Sequence, residues 1–144
     1  TIKAGTVIDH ITNGKSLEAI NVLKLLDQKN KAIVTAGFNL KSNKYGLKDV
    51  VKIEDKELSK EELNKIALLA PKATINIIRN HKVHNKYKVE LPKIIEGFVK
   101  CSNPKCITNN EQIKTKFFLV KKEPLQIRCD YCERTMQSSD IVSL

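Results

Sequence analysis

The chain has four cysteines, all beyond residue 100, arranged as CSNPKC, then 22 residues, then CDYC. Each close pair, Cys101 with Cys106 and Cys129 with Cys132, can bend so that both sulfurs face one point, and the chain between the pairs is long enough for a hairpin. Four thiolates at about 2.3 Å satisfy the tetrahedral demand of Zn²⁺ in a closed structural site with no position open to water. Two disulfides, four buried free thiols, or an iron ion held as in rubredoxin are the competing readings. Pairs separated by two or four residues more often embrace a metal than bond to each other. The longer loop of the first pair departs from the rubredoxin pattern. One structural zinc ion per chain is therefore expected. Because about fifty residues bury little core, the metal would supply most of that segment's folding free energy.

With every cysteine at one end of 144 residues, the remainder reads as a self-sufficient N-terminal unit, and the Leu91-Pro92 step reads as the boundary. The expected domains are residues 1–91 and 92–144. Hydrophobic residues at 41% and charged residues at 29%, with 5 Gly and 4 Pro, suit a folded globular chain rather than a disordered one. No run approaches the roughly 20 apolar residues that cross a bilayer, and TIKAGTVIDH lacks the regions of a secretory signal. The expectation is a cytoplasmic protein with no membrane partner.

A net charge of +10 invites a nucleic-acid reading. The excess is spread, however: residues 1–90 carry 17 Lys and Arg against 10 Asp and Glu, and residues 91–144 carry 9 against 6. Four thiolates on a dication take the second segment from +3 to +1 and leave most of the positive field on the first. A diffuse basic surface fits any polyanion.

Along the chain, Ile2 to Ile11 reads as a strand ending in the polar TNGK turn. Ser16 precedes Leu17, Ile20, Leu23 and Leu26 at helical spacing, so SLEAINVLKLLD reads as a capped helix. AIVTAGFNL reads as a strand buried on at least one face, joined through KSNKYGLK to DVVKIE as an antiparallel neighbour. Ser59 and Glu62 form a capping-box pattern opening SKEELNKIALLA, and Pro71 closes that helix. ATINIIRN reads as a strand, with KVHNKYKVEL as a further extended piece. The order strand, helix, strand, strand, helix, strand is that of an α+β, ferredoxin-like βαββαβ sandwich. Beyond Pro92, a short helical turn fits PKIIEGFVK, and KTKFFLVKK and LQIRC read as strands of a small β domain.

GTVIDHI in the first strand, KDVVKIE after the hairpin, APKATIN after the second helix, the LP boundary and the cysteine pattern with CDYC coincide with one family. Across almost its full length the chain resembles the regulatory subunit of aspartate carbamoyltransferase. The resemblance implies an N-terminal allosteric domain that binds nucleoside triphosphates and a C-terminal zinc domain that grips the catalytic chain. It implies no catalysis by the subunit itself. Regulatory chains of that family form homodimers through their N-terminal domains, and three dimers join two catalytic trimers. ATP generally activates and CTP, alone or with UTP, generally inhibits the committed step of pyrimidine synthesis.

By the same resemblance Asp9 would accept from ribose hydroxyls, His10 and Lys86 would face phosphates or ribose, and Lys52 would read the base edge. Val7, Asn76, Ile78 and Val83 would line the pocket, and the backbone of Thr1 and Ile2 would complete the base site. The donors and cations suit a triphosphate, and the carboxylate suits a ribose. The well-known relatives carry a tyrosine beside the base where this sequence has His81, and they have further residues before the position of Thr1. A histidine there would add a pH dependence that tyrosine lacks.

The alternative reading is a zinc-ribbon nucleic-acid-binding protein. Against it, aromatics make up 5% with no Trp, and the cysteine segment has no basic stripe interleaved with stacking residues. No nucleic-acid partner is expected. An enzyme reading finds no Ser-His-Asp or Cys-His arrangement, since the cysteines are committed to the metal. Asp9 and His10, as neighbours on a regular strand, would point to opposite faces.

Overall fold

The computed structural model describes residues 2–25, 29, 31–43 and 46–143, which divide into two compact units, Thr1–Glu90 and Leu91–Leu144. In the first unit the chain runs β1 (Gly5–Thr12), α1 (Ser16–Val22), β2 (Val34–Ser42), β3 (Gly46–Glu54), α2 (Lys60–Leu69), β4 (Thr74–Arg79) and β5 (Lys82–Lys88). The sheet order is β2-β3-β1-β4-β5, antiparallel throughout. This is the expected βαββαβ arrangement, with β5 added at one edge.

Period-two alternation gives the sheet an apolar face: Ile8, Ile11, Val51, Ile53, Ile75 and Ile77 pack with Ala19, Ile20 and Leu23 of the α1 region and Ile66 and Ala70 of the α2 region. Among the described residues, the opposite face carries no helix of this unit. Both edges are weakly packed. Every residue of β5 is exposed; β2 has no fully buried residue, but Val34 and Ala36, with Ala32 just before it, are partly buried against the core, so its burial is one-sided, as expected, and incomplete. As an edge strand, β2 meets a neighbour on one side only.

The helices differ in how they start. α2 has the anticipated capping box: Ser59 Oγ accepts from Glu62 N–H at 3.2 Å, and Glu62 Oε1 accepts from Ser59 N–H at 3.0 Å. In α1, Ser16 is already the first helical residue and is buried, so it does not cap. Asp49, on β3, takes over that work by accepting from Gly14 N–H at 2.9 Å and Ser16 N–H at 3.4 Å. The described helix ends at Val22, with Lys24 in the left-handed region (φ 56°) and Leu25 N–H bonded to Ile20 O. The remainder of the expected helix, Leu26 and Asp27, lies outside the described residues.

Three β-bulges interrupt the sheet. On β1 the pairing passes from Ile8↔Val51 to Ile11↔Asp49, so Asp9 and His10 (φ 56°) together oppose Val50. On β2 it passes from Gly37↔Val50 to Leu40↔Lys48, with Asn39 at φ 58°. On β5 it passes from Ile78↔Val83 to Ile77↔Asn85, leaving His84 as the extra residue.

The second unit contains β6 (Ile94–Glu96), β7 (Val99–Lys100), α3 (Ile107–Asn110), β8 (Lys116–Lys121), β9 (Gln126–Cys129), β10 (Thr135–Gln137) and β11 (Val142–Ser143). Four strands form a sheet in the order β10-β9-β8-β6, and β11 pairs with β7. Phe117, Ile127, Met136 and Val99 are fully buried. PKIIEGFVK forms two short strands in place of the expected helical turn. Gly97, at φ 69°, turns the chain between them, and its N–H bonds Thr115 O at 2.8 Å.

Candidate metal centre and the open sheet face

The loop after β7 brings Cys101 and Cys106 to Cys129, the last residue of β9, and to Cys132 in the turn that follows it. Local hydrogen bonds shape the first loop: Asn109 donates to the carbonyls of Cys101 and Asn103 at 2.9 and 2.7 Å, and Asn110 donates to Cys106 O at 2.9 Å. In the second loop Glu133 takes φ 64°, and its N–H bonds Cys129 O. The four Sγ atoms lie within 4.8 Å of one another. Two of the separations cross between the cysteine pairs, 3.6 Å for Cys101–Cys132 and 3.8 Å for Cys106–Cys129.

A tetrahedron with metal–sulfur bonds of about 2.3 Å has edges of about 3.8 Å, so the sulfurs already stand where a single ion would hold them. All four are free thiols, three buried and Cys132 half-buried. Burial pushes the Cys101 thiol up to about 12 and raises Cys129 as well. At Cys132 burial acts in the same upward sense but loses to hydrogen bonds from Arg134 N–H and the Asn103 side chain, which bring it down to about 7. Such a cluster cannot ionise fully on its own, and a dication supplies the missing charge. The donor set and its spacing therefore fit one closed metal ion.

In the first unit the register collects most of the residues singled out in the sequence. Val7 pairs with Lys52 on one side and Asn76 on the other, and Asn76 pairs with Lys86. These four form one row across β3, β1, β4 and β5 on the helix-free face, about 14 Å from end to end. Two residues along, the row is Glu54, Gly5, Ile78 and Val83, apolar apart from Glu54 on β3. Here His81 N–H donates to Lys3 O at 2.8 Å, so the segment containing Ile2 is tied to the β4–β5 turn. Thr1 lies outside the described residues.

At the other end sit Asp9 and His10. The bulge on β1 turns both away from the buried Ile8 and Ile11, so they share the open face and do not alternate across the sheet as a regular strand would require. Asp9 Oδ1 is 2.8 Å from Lys48 Nζ and accepts from His10 N–H at 2.7 Å. Burial alone would raise the Asp9 pKa, but the Lys48 ammonium and the His10 N–H hold it below the usual carboxylate range. The ring Nδ1 of His10 lies 3.3 Å from Thr74 Oγ1.

Four residues of this face escaped the sequence reading. Lys48 is two strand pairs from Lys52, and strict alternation along β3 would have found it. Lys88, two beyond Lys86, pairs with Thr74, which pairs with Asp9. Gly5, at φ 139°, has no room for a Cβ, which would collide with Ile53 O.

A first unit with cations and a held carboxylate on one open face, and a second unit organised around four sulfurs, define a two-domain chain: an α+β domain and a small domain whose cysteines fit a metal ion. Residues 1–90 match the family described as aspartate carbamoyltransferase regulatory chain, allosteric domain, and residues 93–142 match its metal binding domain. The aspartate carbamoyltransferase regulatory chain of Pyrococcus horikoshii is 56% identical over 142 residues, covering 99% of this chain and 93% of the relative. The regulatory chain of Methanococcus maripaludis is 50% identical over 137 residues, covering 95% and 90%. That of Methanothermobacter thermautotrophicus is 46% identical over 143 residues, covering 99% and 90%. The chain belongs to the aspartate carbamoyltransferase regulatory chain family, and it is a regulatory, non-catalytic subunit.

Proposed function

We propose that this chain binds the nucleoside triphosphates ATP, CTP and UTP on the open face of its first sheet and conveys their binding to aspartate carbamoyltransferase catalytic chains, controlling the committed step of pyrimidine synthesis. The observation that carries this reading is the single row Lys52, Val7, Asn76 and Lys86, with Asp9, His10 and Lys48 at one end and Gly5, Ile78 and Val83 at the other. Cations at the polar end suit a triphosphate. Asp9 suits ribose hydroxyls, and the apolar end beside Ile2 suits the base. Domain 1–91 is then the effector domain.

Domain 92–144 holds one structural zinc ion on Cys101, Cys106, Cys129 and Cys132 and docks on the catalytic chain. Around the sulfur cluster, Ile107 and Tyr131 are exposed large hydrophobics adjacent in sequence to metal ligands, a composition suited to the core of an interface. Homodimerisation is assigned to the first domain, where the β2 edge exposes Phe38 and Leu40 beside Leu47 of β3. An exposed apolar edge strand of this kind demands a partner.

Regulation follows from linkage: a nucleotide that binds two quaternary states unequally shifts their balance by its differential affinity. The test is calorimetry of the zinc-loaded chain with each triphosphate, followed by assay of catalytic trimer reconstituted with it, using ATP, CTP and UTP singly and in pairs. Saturable binding and a shift in substrate response are expected. A zinc-loaded, folded chain that binds none of the three overturns the reading.

A further inference from the structure

Val83 and Lys86 both stand on the open face, yet they are three residues apart in one strand. In a regular strand an odd separation sends side chains to opposite faces. The extra residue that reconciles them is His84, the bulge of β5. Without it, pairing continued from Arg79↔Lys82 and Ile78↔Val83 would place Asn85 opposite Asn76 and turn Lys86 to the helix side. β5 has no buried residue to resist that slip.

One side-chain cluster holds the bulge. Arg79 on β4 donates Nε–H to Glu57 Oε2 at 3.0 Å and Nη2–H to Glu57 Oε1 at 2.8 Å, and its Nη1 lies 3.0 Å from His84 Nε2. An arginine carries only donors, so His84 Nε2 accepts. The two-pronged pairing fixes the guanidinium plane and thus the direction of its third contact. Glu57 comes from a segment that is itself anchored, since Thr6 Oγ1 donates to Lys56 O at 2.6 Å and Asp55 N–H donates to Ala4 O at 2.9 Å.

We infer that His84, clasped by Arg79 and Glu57, is the positioning element that sets the β5 register and so brings Lys86 onto the nucleotide face. This rests on the nucleotide reading for its functional consequence but not for the register itself.

The experiment uses the zinc-loaded full chain and two readouts: cross-strand nuclear Overhauser effects at Asn76 without nucleotide, and ATP affinity by calorimetry. In the parent chain Asn76 faces Lys86. Arg79→Ala is expected to shift its partner to Asn85 and weaken ATP binding about tenfold, the worth of one charge-assisted contact. Deleting His84 in the Arg79→Ala background removes the need for a bulge, and both the Lys86 pairing and the affinity are expected to return. Glu57→Gln provides a milder variant with the same direction of change. Unaltered pairing in folded Arg79→Ala and Glu57→Gln chains overturns the inference. So does an affinity loss that persists after the deletion restores the pairing, since Arg79 would then act on the ligand directly. A parent chain with the expected pairing that binds no ATP refutes the nucleotide reading and leaves the register assignment standing.

Discussion

Gly5 and Asp49 show how single residues shape the backbone of the first unit. Gly5 lies against the backbone of Ile53 and Asp55 in a conformation that a side chain rarely adopts. Gly5→Ala is therefore expected to cost at least about 2 kcal/mol through strain and collision, measured by urea unfolding of the first transition. Asp49 is fully buried and accepts from Gly14, Ser16 and Asn39 N–H groups and from Asn13 Nδ2. Burial by itself raises its pKa, but the Asn39, Ser16 and Gly14 hydrogen bonds outweigh it and hold the carboxyl below the usual carboxylate range. A depressed carboxylate pKa gives stability that is fully present above the unfolded value and is lost as pH falls through the folded one. Asp49→Asn should thus flatten the acid limb of the stability curve below about pH 4, and should cost about 1–3 kcal/mol at neutral pH through poorer satisfaction of buried donors. Equal acid limbs for the two proteins would refute this.

Elements whose determinants are local in sequence were legible, and those fixed by a partner strand were not. α2 was readable because Ser59, Glu62 and Pro71 carry its start and stop within one stretch, and the box is present as written. Ser59→Ala should cost about 1 kcal/mol, checked by thermal unfolding. α1 was misread at its start because its cap is Asp49, 33 residues from Ser16. The bulges were invisible for the same reason: Asp9 and His10 look like an alternating pair until the β3 register forces an extra residue into β1. The metal centre was the most legible site, since two short loops supply all four sulfurs. Lys52, Val7, Asn76 and Lys86 became a row only when four strands were aligned, and their chemistry could be expected from resemblance alone.

At the scale of the whole molecule, the two units draw stability from different sources. The first buries a continuous apolar layer between sheet and helices, whereas the second is small and gathers its loops around four thiols. Removing the metal should therefore act on one unit. With chelator, the full chain is expected to lose the transition of the second unit and its association with the catalytic chain, while the first unit keeps its unfolding midpoint and the CTP binding proposed for it. Zinc binding to the metal-free chain must displace the proton of Cys101, whose thiol stands near 12, so association is expected to release protons and to weaken as pH falls. Calorimetry in two buffers of different ionisation enthalpy would read that release directly. Normal assembly with catalytic trimer after complete chelation would refute the assignment of docking to the metal-folded unit, because a chain that docks without its four-sulfur centre must be gripping through other elements.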